Sequence, residues 1–290
     1  MTMTAATLKA YYQLTKPGII YGNATMAAGG FLLASQHHID LVLMVATLVG
    51  ISLVIACGCV FNNYIDRGID KKMARTKQRA LVSGAISGRS ALIYAVLLGT
   101  VGFTVLTART NFLTVCIGIV GLVDYVVLYG FYKRRSVYGT LVGTISGSTP
   151  LVAGYMAVTG RFDGAALILF LLWSFWQMAH FYGIAMYRHD DYAAAHIPVL
   201  PVIKGMRQTK IQVLAYIVAF TLAAVSLTIF GYTGRIYLVV MSALGLAWLV
   251  RSVRTFHTLD DKKWGRKVFL FSLIVTLATA AMLAIGARLP

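Results

Sequence analysis

Nine stretches of this chain are apolar for long enough to cross a lipid bilayer, and no other feature limits its possible folds so severely. They run from Gly18 to Ser35, Leu41 to Phe61, Ala91 to Thr107, Phe112 to Phe131, Tyr138 to Val158, Ala165 to Tyr187, Ile211 to Phe230, Ile236 to Val253 and Val268 to Ala287. A hydrocarbon core about 30 Å thick asks for about 17 to 25 such residues in a helix. Period-two alternation is nowhere evident, and lipid demands that backbone groups pair internally, so the runs predict helices rather than strands. The chain is 59% hydrophobic and 12% charged, well beyond the roughly half-apolar make-up of soluble domains. It reads as an all-α integral membrane protein, with nine transmembrane helices in one bundle and residues 1–290 forming a single domain. Residues 1–16 are expected to lie along the cytoplasmic interface, because Leu8, Tyr11 and Tyr12 share a helical face before Pro17 opens the first span.

The formal net charge of +17 is a matter of topology before it is a matter of ligands. With the N-terminus in the cytoplasm, every Lys and Arg falls on the cytoplasmic side except Arg109, Arg161, Arg235 and Arg288. Such a bias predicts an N-in, C-out orientation by the positive-inside rule and speaks against a nucleic-acid partner. Two cytoplasmic loops are long, 62–90 and 188–210, and both open on acidic residues. Cys57, Cys59 and Cys116 lie inside predicted spans without His or Cys partners, so they read as packing residues. Gly139, Gly143 and Gly147, four residues apart, form a small-residue stripe for close helix packing. Asp260 and Asp261, beside Lys262 and Lys263, read as a solvated, self-neutralised loop.

The densest charge is in NNYIDRGIDKKMARTKQR, Asn62 to Arg79, directly after an apolar run. Asn62, Asp66 and Asp70 recur every four residues, a step of about 400° and about 6 Å on an α-helix, so their oxygens form one slowly drifting stripe. Two carboxylates and an amide suit a hard divalent cation such as Mg²⁺, which keeps several waters and takes one or two carboxylates beside substrate phosphates. Arg67, Lys72, Arg75 and Arg79 then become candidates to grip the same phosphates, with Lys133, Arg134 and Arg188 from later loops. A second acidic segment, Tyr187 to Tyr192, places Asp190 and Asp191 as further catalytic and metal-ligating candidates, although adjacent residues point about 100° apart on a helix.

Two residues stand within the spans. Asp124 is nine residues before Lys133, hence about 13 Å deep, and either lines a substrate cavity or bonds a polar neighbour. His180 lies in WSFWQMAHFY, where it is a hydrogen-bonded core histidine, a haem ligand or a polar contact to a flat acceptor.

These residues resemble the UbiA-type intramembrane prenyltransferases, nine-helix enzymes with an N-x-x-x-D-x-x-x-D motif after the second helix and another acidic motif after the sixth. Asn62, Asp66 and Asp70 match the first motif position by position. Within the family the chain is most similar to the branch that farnesylates protohaem IX. That likeness rests on Leu14 to Pro17, Asp66 and Arg67 continuing to Met73, Arg75, Thr76 and Arg79, Trp176 and Gln177 with His180 and Phe181, and Asp191 and Tyr192 leading to Ile197 and Pro198. The resemblance implies a central cavity, Mg²⁺ as cofactor, and farnesyl diphosphate and haem b as substrates, with a haem-modifying enzyme or a terminal oxidase as later partners. It also implies a bacterial inner-membrane location with the active site facing the cytoplasm. Tyr64, Trp176 and Tyr192 become candidates to steady an allylic cation. The paired aspartates depart from the usual spaced D-x-x-x-D of the second motif. Two rivals share these features in part: prenylation of a quinone precursor such as 4-hydroxybenzoate, and a secondary transporter, which ordinarily places its charges near the midplane.

Overall fold

A computed structural model describes residues 5–36, 38–74, 76–257 and 260–286. Every regular element among them is helical. A short amphipathic helix, α1 (Ala5–Leu14), precedes α2 (Pro17–Ala34), α3 (Leu41–Asp70), the single-turn α4 (Ala80–Ser83) and α5 (Gly88–Arg109). The next span is α6 (Phe112–Val123), a π-helical turn (Asp124–Leu128) and α7 (Tyr129–Tyr132) in one run. Then come α8 (Gly139–Thr159), α9 (Gly164–Tyr187), two short helices α10 (His189–Ala194) and α11 (Leu200–Ile203), and finally α12 (Gly205–Ile229), α13 (Arg235–Arg254) and α14 (Asp261–Gly286).

Eight helices among the described residues are long and apolar enough to cross a membrane. The remaining predicted run is α2, which has Asn23, Thr25 and four glycines among its 18 residues and falls below that standard. It is an inner helix, packed against α3, α8 and α14. The outer surface is covered by exposed Leu, Ile, Val and Phe, among them Leu41, Val96, Phe112, Leu222, Ile229 and Leu277, as a lipid-facing bundle requires.

The second apolar run does not stop at Phe61. It continues as one 30-residue helix to Asp70, about 45 Å long, so the residues expected to open a loop form the last turns of α3. The second long loop is also largely helical, and α12 starts at Gly205 rather than Ile211. Of the leader's apolar face, only Tyr11 is packed, edge-on against Tyr94 of α5 at 5.1 Å, whereas Leu8 and Tyr12 are exposed.

Where α2 crosses α8 the backbones nearly touch. A Cβ on Gly30 would lie 2.2 Å from the carbonyl oxygen of Leu151, and one on Gly154 would lie 2.0 Å from that of Ala27. Neither carbonyl can swing away as a side chain could, so only glycine permits this approach. The stripe on α8 packs as its spacing predicts: a Cβ on Gly139 would meet Lys133, on Gly143 the Tyr129 ring and on Gly147 the Gln177 amide. The three cysteines are free, Cys57 and Cys59 buried.

The last three helices are joined by buried polar contacts. Lys210, 4% exposed, donates to the Phe256 carbonyl at 2.7 Å and pairs with Asp261 at 2.5 Å. Asp260 is held by its neighbour Lys263 at 3.1 Å, but Asp261 is not part of a self-neutralised loop, because a cation from α12 claims it.

Gly154→Val is expected to cost about 1–3 kcal/mol or more by overpacking, read as a lower melting temperature in detergent. Gly68→Ala, exposed and with no atom within 4 Å of the added carbon, should leave the melting temperature unchanged or raise it, since alanine is the better helix former by about 0.5–1 kcal/mol.

Candidate active site

A cavity of about 520 Å³ runs between α2, α3, the α6–α7 span, α8 and α9, within the few-hundred to one-thousand Å³ range of small-molecule sites. Its body is apolar, with Ile51, Val54, Ile55, Leu106 and Leu122 among the walls. Its mouth is strongly charged, with Lys16, Asn62, Asp66, Asp70, Arg79, Lys133 and Arg134 all on the lining.

The mouth is assembled from four segments. Asn62, Asp66 and Asp70 come from the end of α3, facing inward as their spacing predicts. Asp66 is gripped by the Lys133 ammonium and by the Arg134 guanidinium at 2.6 Å, and Arg134 also donates to the Ile65 carbonyl at 3.0 Å. Burial pushes the Lys133 ammonium below its ordinary range, against the pull of Asp66. Asp70, 4% exposed, accepts from Arg79 at 2.7 Å, and Arg79 also donates to Asn63 at 3.1 Å. Asn63 in turn donates to the Leu14 carbonyl at 2.7 Å, fastening the leader to α3.

The remaining cation is Lys16, whose Nζ donates to the Asn62 amide oxygen at 2.7 Å. Lys16 has a left-handed backbone, φ 55°, immediately before Pro17, a position where proline disfavours the right-handed helical region. Burial of its ammonium, with Arg79 and Lys133 nearby, pushes its pKa down to about 8. Four cations therefore surround two carboxylates, leaving an excess of two positive charges at the end of an apolar cavity. Such a site calls for an anion with a greasy tail.

Farther in, Trp173, Trp176 and His180 of α9 line the cavity as a stacked stair, with centroids 4.1 and 4.5 Å apart. Tyr192, Ile197 and Pro198 reach the lining from the α9–α11 connection. Tyr125 and Tyr129, stacked at 5.8 Å with an 11° interplanar angle, form another wall, and the Lys133 ammonium lies 5.0 Å from the Tyr129 ring centre.

Several sequence candidates lie elsewhere. Asp190 is 77% exposed and bonded to Lys262 at 2.5 Å and His189 at 3.4 Å, which together hold its carboxyl below the usual carboxylate range. It is a surface latch between α10 and α14 and is not on the cavity lining. Asp191 is half-buried on α10 and is not on the lining. Arg67 folds back over the Tyr64 ring at 4.1 Å and donates to the Tyr64 carbonyl, Arg188 covers Tyr187 at 4.6 Å, and Lys72 is exposed; none lines the cavity. Tyr64 is likewise off the lining, its ring beside Gly88. Arg75 lies outside the described residues. Asp124 is buried, off the lining, and accepts the Ser146 backbone N–H at 2.9 Å, in keeping with the polar-neighbour alternative.

No three His, Cys, Asp or Glu side chains converge on one point among the described residues. The oxygen donors at the mouth are two carboxylates and an amide.

The chain matches the UbiA prenyltransferase family over residues 23–274. It belongs to that family. A protoheme IX farnesyltransferase of Klebsiella pneumoniae is 52% identical over 283 residues, 97% of this chain and 96% of the relative. One of Photorhabdus laumondii is 51% identical over 284 residues, 98% and 97% of the two chains. Among solved structures, a digeranylgeranylglyceryl phosphate synthase superposes with a TM-score of 0.80 at 18% identity, covering 98% of this chain and all of that one. A UbiA homolog from Archaeoglobus fulgidus bound to GPP and Mg²⁺ gives 0.69 at 15% identity, over 95% and 99%. At such identities the two structures share the fold.

Sequence reasoning gave no role to Lys16, Asn63, Tyr125 or Tyr129. Lys16 carried a signal in its place before Pro17 at the head of a span; the tyrosines read as ordinary aromatics of an apolar run.

Lys16 is charged below its pKa of about 8 and neutral above it. Inorganic diphosphate should therefore bind the wild type about tenfold more tightly than Lys16→Met near pH 6.5, the value of one charge-assisted bond. Isothermal titration calorimetry should show that ratio falling towards one as pH rises through 8.

Proposed function

We propose that this chain transfers the farnesyl group of farnesyl diphosphate to a vinyl group of haem b, releasing diphosphate and giving haem O. The observation that carries the reading is the excess of positive charge at the mouth of an apolar, aromatic-walled cavity. It is supported by full-length relatives named protoheme IX farnesyltransferase.

The residues fit Mg²⁺. An ion that takes one or two protein carboxylates and fills its sphere with water and phosphate oxygens suits Asn62, Asp66 and Asp70 on one helical stripe, provided that Lys16, Lys133, Arg134 and Arg79 turn from those oxygens to the diphosphate. When bound there, it neutralises charge on the leaving diphosphate. Lys16, Arg79, Lys133 and Arg134 bind the same oxygens and stabilise the negative charge that grows on them as the allylic carbon–oxygen bond breaks. The farnesyl tail lies in the apolar body, where Tyr125, Tyr129 and Trp176 present ring faces to the developing cation. Walls this apolar keep water from the cation until the haem vinyl group has attacked C1; water then captures the cation left on the haem side and gives up a proton to solvent or the departed diphosphate, leaving the hydroxyethylfarnesyl group. Asp191, next to Tyr192, is the remaining acidic candidate from the second motif.

We further place the N-terminus and the charged mouth on the cytoplasmic side of a bacterial inner membrane, with α2 as the ninth span. The support is the distribution of Lys and Arg. The whole chain acts as a single domain.

Incubating the purified protein with farnesyl diphosphate, Mg²⁺ and either haem b or 4-hydroxybenzoate tests donor, acceptor and reaction together. The expected product is haem O by mass, and prenylated hydroxybenzoate alone overturns the reading. Asp66→Asn should lower kcat at least about 100-fold, as expected when metal and leaving-group stabilisation are lost. Asp190→Asn, on the outer surface, should stay within about threefold of the wild type, the range of a surface ion pair.

A further inference from the structure

His180 has one nitrogen committed and one open, and the hydrogen-bond chain behind it determines which. Its Nδ1 lies 2.6 Å from the Ser272 hydroxyl of α14. That hydroxyl has a single hydrogen, which it donates to the Phe269 carbonyl at 2.6 Å. A carbonyl oxygen only accepts, so Ser272 has only lone pairs left to offer His180. The imidazole must therefore be the donor, and in the neutral ring, with its one proton on Nδ1, Nε2 carries a bare lone pair. No hydrogen bond reaches Nε2 from any described residue, yet His180 lines the cavity.

The ring is also held in plane. The Ser272 carbonyl accepts the Trp176 indole N–H at 3.1 Å, so one residue of α14 fixes both Trp176 and His180, stacked at 4.5 Å with 23° between their planes. Trp173 backs the pair at 4.1 Å. An oriented, uncharged imidazole with its outer nitrogen open and its inner N–H anchored is the arrangement that metal-binding histidines use, where the inner bond sets tautomer and basicity.

We infer that His180 Nε2 is the axial ligand to the iron of the haem acceptor, and that Ser272 is its positioning residue. The inference rests on haem being the acceptor, as proposed above. Ligation at this point of α9 holds the acceptor by its centre within the cavity, leaving its vinyl edge free to meet the farnesyl carbon.

The test is resonance Raman spectroscopy of the full-length protein loaded with ferrous haem b, read at the iron–imidazole stretch. The wild type should show that stretch. His180→Ala and His180→Gln should lose it, and added imidazole should restore it in His180→Ala. Ser272→Ala should keep the band but shift its frequency, because the Nδ1–H bond that tunes the ligand is gone, a change that loosened packing alone does not produce. Haem affinity should fall about 10- to 100-fold in His180→Ala, while the affinity for iron-free protoporphyrin IX changes less than about twofold. An unaltered stretch in His180→Gln, or equal loss of affinity for the iron-free ring, overturns the ligand assignment. The product-mass assay separates this from the parent reading: haem O formed by a wild type without the stretch sinks only the ligation, and the stretch without product sinks only the farnesyl transfer.

Discussion

Asp66 between Lys133 and Arg134 is the contact on which the rest of the molecule depends. It ties the end of α3 to the connection between α7 and α8, closes the charged mouth, and does so where side chains are largely withdrawn from water. Carboxylates this buried are tolerated only when paired, and removing one partner leaves a costly stranded charge. With Arg79 on Asp70 and Lys16 on Asn62, the mouth carries its own counter-charges in advance of any ligand. The price is a residual positive field that only an anion relieves. That imbalance is what a diphosphate, with its several negative oxygens, would answer.

The fold was largely legible because lipid leaves the chain so few choices. Eight of the nine apolar runs are helices fit to span, and the stripe of Asn62, Asp66 and Asp70 lines the cavity as four-residue spacing requires. Arg79, Lys133, Arg134, Trp176, His180 and Tyr192, all chosen from sequence, reach the same cavity. What spacing could not resolve is which of several neighbouring cations turns inward. Arg67 and Arg188 find aromatic rings beside them in the chain and fold onto those instead, a local contact that outcompetes a distant site. Asp190 lies off the lining for a related reason: Lys262, 72 residues away in sequence, pairs with it at the surface. Lys16 was hidden because its role depends on α1 being fastened to α3 through Asn63.

Glycine does in this bundle what large apolar side chains do in a soluble core. Lipid tails are as apolar as leucine, so burying a leucine between helices gains little, and cohesion must come from close backbone approach. Gly30 and Gly154 bring α2 and α8 into near contact, which in turn holds α2, the least apolar of the predicted spans, against the cavity it lines with Gly18, Gly22 and Asn23.

The π-helical turn at Asp124 has a consequence for phase. One residue more than an α-helical turn holds is taken up there, closed by the Tyr129 N–H on the Asp124 carbonyl, so everything after it is rotated by about 100° relative to an unbroken helix. Gly118, Gly121 and Leu122 ahead of the turn and Tyr129 and Lys133 after it all line the cavity, while Ile119, Val120 and Val123 ahead of it and Phe131 after it are exposed. The inserted position therefore adjusts the pitch of a span that keeps a chamber face and a lipid face along its whole length, and the Asp124 carboxylate, by accepting the Ser146 N–H, joins that adjusted turn to α8.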